Sequence, residues 1–164
     1  MRSYEYLILH HSVTTDNVVL ADSIAIRKYH MEVNGWADIG YHYIVEKVAG
    51  MLTTSVGRPL EHSGAHCIEA GMNEKSIGIC VVGNFDAAPP GLNLMVYVAR
   101  LCMAFMVNYN IPASKVIGHR DAGLMAGFDW RKFGSTGVRQ FKTCPGELWQ
   151  EDLLKSMLSG AYRI

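Results

Sequence analysis

Three side chains of this 164-residue sequence have the types needed to hold a metal ion: His10, His119 and Cys144. His10 follows the apolar run Leu7–Leu9, His119 closes "KVIGH", and Cys144 opens "CPGELWQEDLLKSMLSG". Strand ends and helix starts are where α/β domains build their sites. Two imidazoles and a thiolate suit Zn²⁺, and three protein ligands leave a fourth position open, as a catalytic zinc requires. A thiolate at the start of a helix also gains from the positive end of the helix dipole. His11 adjoins His10, and neighbouring side chains on a strand face opposite ways, so one of the two serves the site. The ligands are far apart in sequence, with no HxxxH or CxxC spacing. Taken alone, a strand-end histidine is more often structural than metal-bound, and a buried cysteine more often an apolar filler. Cys144 and His119 also read as the nucleophile and base of a metal-free cysteine hydrolase.

The elements that must position these residues follow from pattern. Tyr4 to His10 reads as a strand, and "TTDNVVLADS" as a polar turn region. Asp22 or Ser23 caps a helix running to about Val33, with Ile26, Tyr29 or His30, and Val33 on one face, stopped by Asn34-Gly35. Two β-rich runs flank Ala49-Gly50 as a hairpin. "GRPLEHSGAHCIEAGMNEK" reads as loop. "SIGICVVGNF" is a continuous apolar run, expected of a strand buried on both faces. "LNLMVYVARLCMAFMVNYN" reads as a helix apolar nearly all round, sandwiched in the core. "KVIGHRD" is a short strand ending at His119, followed by an irregular stretch. The last helix is expected to start at Cys144, with Pro145 in its first turn and Gly160 past its end. The order β, α, β, β, β, α, β, α predicts an α/β (α+β) single domain, residues 1–164, with a mixed central β-sheet flanked by helices.

Composition narrows the function. Fifteen basic residues balance fifteen acidic ones, which argues against a nucleic-acid partner or a polybasic membrane binder. The apolar stretch Leu94 to Val107 contains Arg100 and is too short to span a bilayer, so no membrane insertion is expected. The N-terminus runs straight into a strand and shows no secretory signal, which predicts synthesis in the cytoplasm. Cys67, Cys80 and Cys102 read as free thiols.

Six segments in order carry a family resemblance: "LILHHS", "IRKYH", "GWADIGYHYIV", "KSIGICVVGNF", "VIGHRD" and "KTCPG". With them the chain resembles the zinc-dependent N-acetylmuramoyl-L-alanine amidases, which include amidase-type phage endolysins and the peptidoglycan recognition proteins. The resemblance implies one Zn²⁺ held by His10, His119 and Cys144, with Tyr41 and Lys142 as catalytic residues. It implies hydrolysis of the amide between N-acetylmuramic acid and L-alanine in bacterial peptidoglycan, by a monomer. Lys142 would stabilise the charge that develops on the carbonyl oxygen. Tyr41 would orient water, donate to that oxygen or relay a proton. His66, in "SGAH", matches a segment bordering the substrate groove, and serves either substrate contact or loop structure. His11 and His42 face away, and His30, His62 and Asn84 read as packing or loop residues.

The chain departs from compact phage members between His119 and Cys144. The insertion over 120–143 carries Phe128, Trp130 and Phe133 beside Arg131 and Lys132. It reads either as a lid or substrate wall, or as a loop packed on the domain. The expected biological role is wall lysis as a phage or prophage endolysin, reaching the wall by host lysis or holin-type release. The alternatives are a peptidoglycan-binding module without catalysis and a cytosolic muropeptide-recycling amidase.

Overall fold

The computed structural model describes residues 2–15 and 21–160. The centre of the "TTDNVVLADS" stretch lies outside the described residues. Five strands form one mixed sheet: β1 (Tyr6–His11), β2 (Tyr43–Val48), β3 (Met51–Val56), β4 (Ser76–Val81) and β5 (Val116–Gly118), in the order β3-β2-β4-β1-β5. β1 lies between β4 and β5 and runs parallel to both. β2 pairs parallel with β4 and antiparallel with β3. The helices are α1 (Asp22–Glu32), α2 (Met72–Lys75), α3 (Leu92–Tyr109), α4 (His119–Met125) and α5 (Glu151–Leu158). The fold class is the one expected.

The central strands are buried on both faces, and their alternation sorts the side chains. Leu7, Leu9, Ile77, Ile79 and Val81 join Met95, Val98, Cys102, Leu154 and Met157 in the main core under α3 and α5. Ile8 points the other way, into a small cluster with Cys67, Met72 and Ala122, and Cys80 lies with Ile39, Ile44 and Val82. His10 shares the parity of Ile8 and pairs in register with Cys80. It therefore belongs to the second face, while His11 belongs to the first.

Several expectations need correction, among them the cap of α1, which is Ala21 rather than Asp22 or Ser23, and the loop before β4, which contains α2. The apolar helix, Leu92–Tyr109 as expected, is not sandwiched: Met95, Val98, Ala99, Cys102 and Phe105 are buried, whereas Val107 is 82% exposed. Length and composition alone would let it cross a membrane. In α1 the inward residues are Ile26 and His30, while Tyr29 and Val33 are exposed. The stretch after His119 is not irregular throughout, because His119 opens α4 and the next six residues complete it, with the Asp121 carboxylate accepting the Gly118 N–H at 2.8 Å. Finally, the last helix starts at Glu151, not Cys144. Cys144 sits in a tight turn, where Gly146 has φ +118° and its Cα lies against the Phe85 backbone. That φ is far from helical, so the turn does not wind into a helix, and a side chain at this position would strike the Phe85 backbone.

His42 shows how this face is wired. It is fully buried; its Nδ1 accepts the Gly78 N–H at 2.9 Å and its Nε2–H donates to the His62 carbonyl at 3.3 Å. Both bonds suit neutral imidazole. Burial lowers its pKa to about 4. A base with a depressed folded pKa imposes no penalty above its unfolded value of about 6.5, and stability is lost as pH falls from there toward 4. For His42 alone the loss is about 2 kcal/mol by pH 5. Urea denaturation in the presence of chelator should therefore show a clearly lower midpoint at pH 5 than at pH 7.5; equal midpoints would contradict this wiring.

Candidate active site

Register builds the site. Leu9 pairs with Gly118 across the β1–β5 ladder, so His10, still on β1, and His119, the first residue of α4, lie side by side one residue further along. Their Nδ1 atoms face each other at 3.1 Å. Cys144 Sγ lies 3.6 Å from His10 Nδ1. One ligand atom from each of the three residues lies within 4.8 Å of the other two, and all three residues are buried.

The turn bearing Cys144 is fastened from two sides. The Arg120 backbone N–H donates to the Cys144 carbonyl at 2.7 Å, and the buried Arg120 guanidinium donates to the Gly146 carbonyl and to Glu151. Asp86 accepts from the Thr143 hydroxyl and from the Glu147 N–H. Arg120 follows His119 directly, so one segment supplies a candidate ligand and clamps the loop of another.

The second nitrogen of each imidazole is also engaged. His119 Nε2–H donates to Glu69 Oε2 at 2.8 Å. His10 Nε2 lies 3.0 Å from His66 Nδ1. The far nitrogen of His66, Nε2, is buried and has no hydrogen-bond partner among the described residues. The His66 ring lies over Gly64 and Gly78; a Cβ on Gly78 would fall 2.4 Å from its Cδ2. The glycine of "SIGIC" thus makes room on the sheet for the ring that backs His10.

The protonation states leave these donors free to coordinate. Burial, then the His119 and His66 imidazoles and the Lys142 ammonium, hold the His10 pKa well below its ordinary value. Burial and Lys142 lower His119 against the opposing pull of Glu69. Both are therefore neutral at pH 7, with lone pairs available. Burial pushes the Cys144 thiol up to about 12. A nucleophilic cysteine needs a depressed pKa and an electropositive, accessible setting, so the cysteine-hydrolase reading loses support. A divalent ion, by contrast, stabilises the thiolate directly. Two neutral imidazoles and a thiol converging on one buried point fit a borderline-soft ion such as zinc.

The expected neighbours surround this point. His10, Tyr41, His66, His119, Lys142 and Cys144 all line one groove of about 620 Å³. The Tyr41 ring lies 5.1 Å from that of His10. Burial, with the Cys80 and Cys144 thiols nearby, raises its pKa well above the ordinary value, so it remains a neutral phenol. Lys142 is exposed and makes no ion pair among the described residues. His66 borders the groove, but the polar contact of its ring is to His10. His11 faces away and its Nδ1 accepts the Phe85 N–H at 3.2 Å. Cys67, Cys80 and Cys102 are free thiols.

The insertion divides between its two readings. Its first part is α4, and Trp130 packs under the Arg120 guanidinium at 4.6 Å. Its last part is a wall: Arg139, Phe141 and Lys142 line the groove, and Phe141 stacks on Phe128 while touching His119 edge-on. Phe128 and Phe133 remain half-exposed. Glu69 and Arg120, with the groove-lining Trp36, Asp86, Arg139 and Phe141, are residues of this site that sequence pattern did not reveal.

Comparison with known proteins now adds to the geometry. Residues 1–147 match the family described as N-acetylmuramoyl-L-alanine amidase. The chain belongs to that family. The endolysin of Escherichia phage T7 is 41% identical over 61 residues, covering 37% of this chain and 36% of the endolysin. The endolysin of Enterobacteria phage T3 is 37% identical over 84 residues, half of each chain. The aligned region thus spans half or less of these curated relatives. Among solved structures, the N-acetylmuramoyl-L-alanine amidase LysC from Clostridium intestinale URNW superposes with a TM-score of 0.72 at 26% identity, covering 96% of this chain and 87% of LysC. Bumblebee PGRP-SA gives 0.68 at 26% identity, with 93% and 81% coverage.

Adding a methyl at Gly78 tests the packing of the site. Gly78→Ala is expected to destabilise by about 1–3 kcal/mol in urea denaturation, because His66 must leave its place. Unchanged stability would show that the His66 ring is not held there.

Proposed function

We propose that the protein is a zinc-dependent N-acetylmuramoyl-L-alanine amidase that cleaves the amide between the lactyl group of N-acetylmuramic acid and L-alanine, acting as a phage-type endolysin on the bacterial wall. The observation that carries this reading is the convergence of His10, His119 and Cys144 on one point at the floor of the groove. Members of the family are generally zinc-dependent. Zinc held by these three residues would supply Lewis-acid activation of water and of the scissile carbonyl.

The chain's own residues supply the rest. An amide is a poor electrophile, and attack on it places negative charge on the carbonyl oxygen. Lys142, exposed at the groove wall and without a carboxylate partner among the described residues, is the cation that meets this charge. Tyr41 stays protonated at neutral pH and so acts as a donor, either to that oxygen or to the departing amine. Phe141 and Trp36 furnish apolar walls. Peptidoglycan is the partner in this reading; the protein acts as a monomer, and neither nucleic acid nor membrane insertion has a part. The wall is reached after host lysis or holin-type release.

Digestion of purified peptidoglycan tests the reading. New N-terminal L-alanine should appear on stem peptides in mass spectra, vanish with chelator and return with Zn²⁺. New reducing sugar ends would contradict it, and binding without any release would favour a recognition module. Tyr41→Phe and Lys142→Ala should each lower kcat by about 10²–10³ with zinc content unchanged. Near-normal turnover in either variant would remove that residue from the mechanism.

A further inference from the structure

We propose that Glu69 is the positioning residue of the metal centre: its carboxylate fixes the His119 ring and tautomer so that Nδ1 presents its lone pair beside His10. The inference rests on the metal site proposed above. The Glu69 side chain is 10% exposed and accepts from His119 Nε2–H at 2.8 Å. An imidazole that donates through Nε2 has its lone pair on Nδ1, the atom that faces His10. A carboxylate behind a ligating histidine orients the ring and raises its basicity as a ligand.

The carboxylate is held in place by a built loop. Asn73 Oδ1 accepts the backbone N–H groups of both His66 and Cys67 at 2.8 Å, closing the segment from inside. Cys67 Sγ donates to the same Glu69 oxygen at 3.4 Å. Ala70 (φ +50°, ψ +23°) and Gly71 (φ +72°, ψ +24°) are consecutive left-handed residues, and this sharp turn lays Glu69 over His119. A non-glycine residue keeps that conformation only when its surroundings enforce it, and such residues gather at functional sites. Cys67, Glu69 and His119 could also hold an ion themselves; in that case Glu69 would be a ligand.

The test is Zn²⁺ affinity of the full chain, measured by chelator competition, with zinc-to-protein ratio and thermal unfolding of the metal-free protein alongside. Glu69→Ala is expected to weaken binding by about 10- to 100-fold, and the shape-preserving Glu69→Gln by about 10-fold. All three metal-free proteins should melt together and bind one ion. If Glu69→Ala does not fold, Glu69→Gln carries the test. Wild-type affinity in the folded variants would overturn the proposal. So would two ions per wild-type chain falling to one in Glu69→Ala, because the carboxylate would then be a ligand. A wild-type chain that binds no zinc would instead remove the metal centre itself.

Discussion

The parallel pairing of β1 between β4 and β5 is the constraint on which the rest depends. It places His10 beside Cys80 on one side and carries Leu9 beside Gly118 on the other, which leaves the His10 and His119 nitrogens 3.1 Å apart. Because side chains alternate along a strand, a one-residue slip of β1 would turn His10 into the helix-packed core and bring His11 to the groove. The register is protected against such a slip by the apolar set on the helix side, where Leu7 and Leu9 are fully buried. Core packing and site geometry are therefore set by the same ladder.

Burial at the groove floor has an electrostatic consequence. Six buried histidines (His10, His11, His30, His42, His66 and His119) all have pKa values lowered chiefly by loss of water. A cluster of neutral imidazoles with Lys142 at its edge and a buried thiol at its centre carries lone pairs that point at one another. Such an arrangement is stable when something electropositive sits between them. The carboxylate of Glu69 adds the negative charge behind His119 that a divalent ion compensates.

Much of this was legible in the sequence, and the reasons are specific. The parity of His10 and His11 follows from strand geometry. The hairpin at Ala49-Gly50 followed from turn chemistry flanked by β-branched and aromatic residues, and both turn residues have positive φ. Other features depend on contacts that no local pattern encodes. "HRDAGLM" is short, contains a glycine and has no clear apolar stripe, so α4 was hidden. "TCPG" resembles a helix start because proline favours the first turn; instead Gly146, at φ +118°, turns the chain against Phe85, 61 positions earlier. Glu69 reaches His119 only through the left-handed turn at Ala70. Arg120 finds Gly146 and Glu151 only once β5 and the last helix are docked.

X-ray absorption at the zinc edge of the zinc-loaded protein tests the central claim most directly. The predicted first shell has one sulfur at about 2.3 Å and two imidazole nitrogens at about 2.0–2.1 Å, with the remaining position taken by a light-atom scatterer. The sulfur should be lost in Cys144→Ser. A shell without sulfur, or one with two sulfurs, would contradict a centre built from His10, His119 and Cys144.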